Sequence, residues 1–99
     1  MNPSGANVAT SKVDVVMKYV RANFPDKEVD HLPRSDGYAD LFRVIDNREP
    51  RYQVLVTRKW FDAWGGADAL ENGLKRGNVA EQMRRSQTGG VVILDRWPR

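Results

Sequence analysis

Two runs of alternating apolar and polar side chains, Leu41–Asp46 and Arg51–Arg58, constrain this chain more than any other feature. Successive side chains of a strand point to opposite faces, so alternation of this kind is a strand signature. Phe42 and Val44 share one face of the first run, and Tyr52, Val54 and Val56 share one face of the second. Asn47-Arg48-Glu49-Pro50 between them is turn chemistry of hairpin length. The spacing therefore predicts an antiparallel hairpin, with Phe42, Val44, Tyr52, Val54 and Val56 turned towards helices. The opposite face carries Arg43, Arg51 and Gln53 among Leu41, Ile45 and Leu55, half polar and half apolar. A face of that composition serves as a binding surface, as a subunit contact or as an ordinary solvated sheet face.

A partner for the hairpin's apolar side precedes it. Val13, Val16, Met17, Val20 and Phe24 recur at helical spacing, with Lys12, Lys18 and Arg21 on other faces. Thr10 or Ser11 is placed to cap this helix, Asp14 to sit in its first turn and Pro25 to stop it. Residues 1–10 have no period and read as a flexible leader, which leaves 11–99 as one domain with room for one core. Val29, His31 and Leu32 are expected to form a short strand that Pro33 confines to an edge or an end.

Beyond the hairpin the pattern turns helical. Thr57 is placed to cap Arg58–Trp64, where Trp60, Phe61 and Trp64 share a face until Gly65-Gly66 ends the turn. Asp68 with Glu71, and Asn78 with Glu81, are capping pairs for two further short helices carrying Leu70 and Leu74, then Val79, Ala80 and Met83. After Thr88-Gly89-Gly90, the unbroken run Val91-Val92-Ile93-Leu94 predicts an interior strand covered on both faces. The order α-β-β-β-α-α-β implies an α+β fold: a mainly antiparallel sheet of three to four strands with helices packed on one face.

Reaction chemistry fails template by template. With no cysteine and one histidine, His31, thiolate catalysis and structural zinc sites lack ligands. Glycine-rich phosphate loops, the Gly-x-Ser-x-Gly elbow and His-Glu-x-x-His are all missing. Asp46 and Gln53 sit like the acid on one strand and the Glu or Gln on the next of a nuclease core, but Leu55 occupies the position where its lysine belongs. Asp30, Asp36 and Asp40 do not follow calcium-loop spacing. No enzyme activity, cofactor or metal is expected. No apolar run approaches the roughly 20 residues of a membrane span, and Met1–Thr10 lacks the makings of a signal peptide. A cytoplasmic protein is the expectation.

Charge separates the remaining readings. Sixteen basic against 13 acidic side chains give a net +3, modest for a dedicated nucleic-acid binder. The leading expectation is a non-enzymatic module that binds another protein or itself. It uses the sheet face of Arg43, Arg51 and Gln53, the aromatics Trp60, Trp64 and Trp97, and the cations Arg58, Lys59, Arg84 and Arg85. The alternative is nucleic-acid binding through Arg43, Arg51, Arg58, Lys59, Arg84 and Arg85. A single basic stripe of the 11 arginines favours the alternative, and an even scatter favours codon bias and a protein partner.

Overall fold

Alternation in the hairpin becomes the middle of a four-stranded sheet in the order β1-β2-β3-β4. The structure, a computed structural model, describes residues 8–33, 37–86 and 90–95. Its elements are α1 (Val8–Asn23), β1 (Glu28–Pro33), β2 (Ala39–Asp46), β3 (Glu49–Thr57), α2 (Arg58–Asp62), α3 (Ala67–Arg76), α4 (Val79–Arg85) and β4 (Val91–Leu94). The fold is α+β, and the strands β1, β2 and β3 run antiparallel to their neighbours. β4 departs from expectation: it pairs parallel to β3, so the sheet is mixed, and it lies at the edge rather than inside. The reason is the connection. α2, α3 and α4 return the chain over one face of the sheet, and such a crossover delivers the next strand parallel to the last.

Because no described helix covers the opposite face, β4 is not buried on both sides. Val91 and Ile93 are exposed, while Leu94 reaches the core. Four apolar residues in a row carried no period from which that difference was readable.

Side chains from both layers meet in one cluster. Val16, Val20 and Phe24 of α1 join Phe42, Val44, Val54 and Val56 of the hairpin, together with Leu70, Leu74, Val79 and Met83 of α3 and α4. Val13, Met17 and Tyr52 pack at its margin, the last with its ring centroid 5.1 Å from that of Phe24. α1 begins at Val8, ahead of the expected cap and inside the expected leader, so Asp14 lies past its first turn. Thr57 does cap α2, accepting the Trp60 N–H through its hydroxyl at 3.3 Å. Lys12 closes the other end of that short helix by donating from Nζ to the carbonyls of Phe61 and Trp64, at 2.8 and 3.0 Å. A cation there also meets the negative end of the helix dipole. Asp68 sits in the first turn of α3 behind a Gly66 cap, and Asn78 caps α4 in the left-handed region with no side-chain bond. The first turn of α4 is satisfied from elsewhere: the Ala80 N–H donates to the Tyr19 hydroxyl at 3.0 Å.

Two backbone details are specific enough to test. The hairpin turn is shorter than the expected four residues, with Asn47 and Arg48 both at positive φ, 54° and 67°. Two left-handed residues make the tight turn whose twist matches paired strands. A register shift at Val44/Ile45, where Tyr52 and then Pro50 are the partners, absorbs Arg51 as an extra residue. Arginine tolerates that φ poorly, so Arg48→Gly is expected to raise unfolding stability by about 1 kcal/mol, measured by chemical denaturation. In α3, a Cβ at Gly73 would overlap the Trp64 indole ring. Gly73→Ala is therefore expected to destabilise by about 1–3 kcal/mol despite alanine's higher helix propensity. Gly65→Ala, where a Cβ meets nothing within 4 Å, is the control and should lie close to the parent.

Candidate interaction surface

Register alone assembles a second apolar surface. Cross-strand partners share a face, and the pairs Leu32↔Leu41, Leu41↔Leu55 and Leu55↔Ile93 run unbroken across the sheet. The row Leu32-Leu41-Leu55-Ile93 therefore crosses all four strands on the side away from the helices. None of these side chains joins the hydrophobic core. Leu32 and Ile93 are exposed, the latter by 63%, and Leu41 and Leu55 between them are half-buried by their strand neighbours. Val91 continues the patch along β4, and Ile45 lies on the same side of the row, beyond Arg43.

Next to it runs the row Asp30-Arg43-Gln53-Val91. Arg43 is held by a two-pronged pair, Nε donating to Asp30 Oδ1 at 2.9 Å and Nη2 to Oδ2 at 2.6 Å. Hydrogen bonding from Arg43 holds the Asp30 carboxyl below its ordinary range, and the same bond pushes the Arg43 guanidinium up. The cation is thus neutralised on the surface and fixed in orientation. It forms a polar border to the apolar row instead of a free positive charge.

The remaining residues singled out from the sequence are dispersed. Arg51 lies 3.6 Å from Asp46 and over the Tyr52 ring, at the bulge. Gln53 is half-buried on the open face beside Arg43. Arg58 donates from Nε to the Gly37 carbonyl at 3.1 Å. Lys59 lines a shallow hollow with Tyr38, Thr57, Asp62 and Asp95. Arg84 covers the Phe24 ring and donates to the Asn23 carbonyl, and Arg84 and Arg85 both pair with Glu81. Trp97 lies outside the described residues.

Trp60 and Trp64 correct the sequence reading. Trp60 is 2% exposed, and the two rings meet edge to face with centroids 5.3 Å apart inside the core. A small domain with few large aliphatics fills its interior with indoles, so neither ring is available on the surface. Phe61 is buried with them. His31 stacks on Phe42 at the helix-facing side, with Nε2 2.7 Å from Asp40 Oδ1. Among the described residues no three His, Asp or Glu side chains gather where they could hold a metal ion, and no helix is long and apolar enough to cross a membrane.

What sequence reasoning missed is the reach of the open face into both outer strands. Leu32, Val91 and Ile93 belong to it, and only the strand register places them there. No family model, curated protein or solved structure matches this chain.

Asp30's depressed acidity sets a sign. Stability from the pair is fully present above the unfolded carboxyl's ordinary value, near pH 4, and is lost as pH falls through the lower folded value. A double-mutant cycle on Asp30→Ala and Arg43→Ala is expected to give a coupling of about 0.2–1 kcal/mol at neutral pH, the range of exposed pairs. Repeated under strongly acid conditions, the cycle is expected to show that coupling vanish.

Proposed function

We propose that the chain is a non-enzymatic protein–protein interaction module whose docking surface is the open face of the sheet. The observation that carries this reading is the row Leu32-Leu41-Leu55-Ile93, apolar from one sheet edge to the other and outside the core. Soluble proteins seldom leave a contiguous apolar patch uncovered unless something docks there. Its border has the composition of an interface rim, with Arg43 oriented by Asp30 and Gln53 beside it. A chain without cysteine also suits a reducing cytoplasm.

The distribution of cations weighs against nucleic acid. Arg43, Arg51, Arg84 and Arg85 each have a carboxylate partner, and they sit on both layers of the fold. A polyanion would have to displace those partners and could not track one stripe.

Leu41 and Leu55 stand at the centre of the row and outside the core, so lysines there keep the fold and place charge in the docking surface. The double variant Leu41→Lys, Leu55→Lys is expected to lose at least about tenfold in capture of protein partners, while its unfolding free energy stays within about 1 kcal/mol of the parent. Capture that survives this change defeats the reading. Binding to nucleic acid with a steep log–log salt dependence, lost in Arg43→Ala and Arg51→Ala, would favour the alternative.

A further inference from the structure

Hydrogen-bond parity fixes where each main-chain group of β4 points. The Arg58 N–H donates to the Tyr38 carbonyl at 2.8 Å, so Val54 and Val56, of the same parity, turn their main chain towards β2. Gln53, Leu55 and Thr57 face the other way, towards β4. With Val54 beside Val92 and Val56 beside Leu94 in a parallel register, those groups meet the main chain of Val92 and Leu94. The Thr57 hydroxyl, 3.3 Å from the Leu94 carbonyl, lies on that same side. Val91 and Ile93 consequently aim N–H and C=O out of the sheet, where no described strand lies.

The two edges of this sheet are not alike. β1 carries Glu28, Asp30 and Pro33, two like charges and a residue with no N–H, which are devices that discourage edge pairing. β4 is Val-Val-Ile-Leu, without charge or proline. Its main-chain groups call for an extended strand, and a second β4 fits by its own sequence. Consider a two-fold axis perpendicular to the sheet through Val92. Val91 then exchanges both main-chain bonds with Ile93 of the second copy, and both side chains stay on the open face. Val92 meets its own counterpart on the helix side. Leu94 falls opposite Gly90, which has no side chain to obstruct it. Beside the edge lies a hollow of about 370 Å³ between β4 and Trp60, Gly73, Gly77, Val79 and Gln82.

We propose that two copies of this chain pair antiparallel along β4 about a two-fold axis at Val92, joining their sheets into one of eight strands. The pairing is independent of what docks on the open face, which stays uncovered on both copies. A four-residue edge buries less than a standard interface of roughly 1,200–2,000 Å², so the dimer is concentration-dependent, with a dissociation constant on the order of micromolar or weaker.

The chain contains no cysteine, so Val92→Cys introduces a single thiol. At the axis it meets its twin in a non-hydrogen-bonded pair with Cα atoms about 4.5 Å apart, within disulfide range. Mild oxidation is expected to yield a disulfide-linked dimer, and Leu41→Cys on the open face is expected to yield at most about a tenth as much. In sedimentation equilibrium the unmodified chain should dimerise below about 1 mM. Ile93→Pro removes an outward N–H without touching a bond to β3 and should weaken dimerisation at least about tenfold with the far-ultraviolet spectrum unchanged. If Ile93→Pro unfolds, the cysteine comparison decides. Equal cross-linking of the two cysteine variants overturns the proposal, as does a strictly monomeric parent at about 1 mM. More cross-linking through Leu41→Cys would instead indicate copies stacked face to face. Partner capture lost in the Leu41→Lys, Leu55→Lys variant while Val92→Cys still cross-links would separate the open-face reading from this one.

Discussion

A helix layer covers one side of a sheet, and in this chain that limit decides what is core and what is surface. β2 and β3 place apolar side chains on both faces, Phe42, Val44, Val54 and Val56 on one and Leu41, Ile45 and Leu55 on the other. α1, α3 and α4 bury the first set completely. Nothing of the described chain buries the second. The half-exposed row is a consequence of having more apolar strand positions than helices to cover them.

The covered side is held by close fit more than by polar bonds. Trp60 and Phe61 come from the short helix α2 and Trp64 from the bend after it, and the Trp64 ring rests where Gly73 leaves room for it. Interiors packed this tightly respond to a single methyl group, since a Cβ at Gly73 would overlap the Trp64 ring. Polar ties run between elements at the margins, from Lys12 to the end of α2 and from the Tyr19 hydroxyl to the start of α4. These bonds fix how the helices sit. The pairs Asp30–Arg43, Asp46–Arg51 and Glu81–Arg85 lie at the surface, where solvent screens them, and they orient cations more than they stabilise the fold.

Most of the fold was legible because its signals are periodic. The stripe of α1, the alternation of β2 and β3, the Thr57 cap and the order of elements all follow from spacing and local chemistry. Position within the sheet was not legible. Val91–Leu94 reads as a buried central strand because an unbroken apolar run has no period, and only the crossover makes it a parallel edge. The candidate surface divided in the same way. Arg43 and Gln53 on the open face followed from alternation, but Leu32 and Ile93 needed cross-strand register. Trp60 and Trp64 misled for a compositional reason: tryptophan is enriched in interfaces and in cores alike, and the sequence does not show which way a short helix turns its rings.

A sheet with one buried and one open apolar face is a common platform for docking, and this one adds an uncharged edge. The proposed docking function depends on the open face being uncovered in the folded monomer. The most direct test is paramagnetic relaxation of methyl signals by a soluble, uncharged cosolute in a dilute sample. Methyls of Leu32, Leu41, Leu55 and Ile93 should relax several-fold faster than those of Val16, Val20, Leu70 and Leu74, whose side chains are inaccessible. If the Leu41 and Leu55 methyls prove as protected as the core set, the face is covered within the monomer and the account fails.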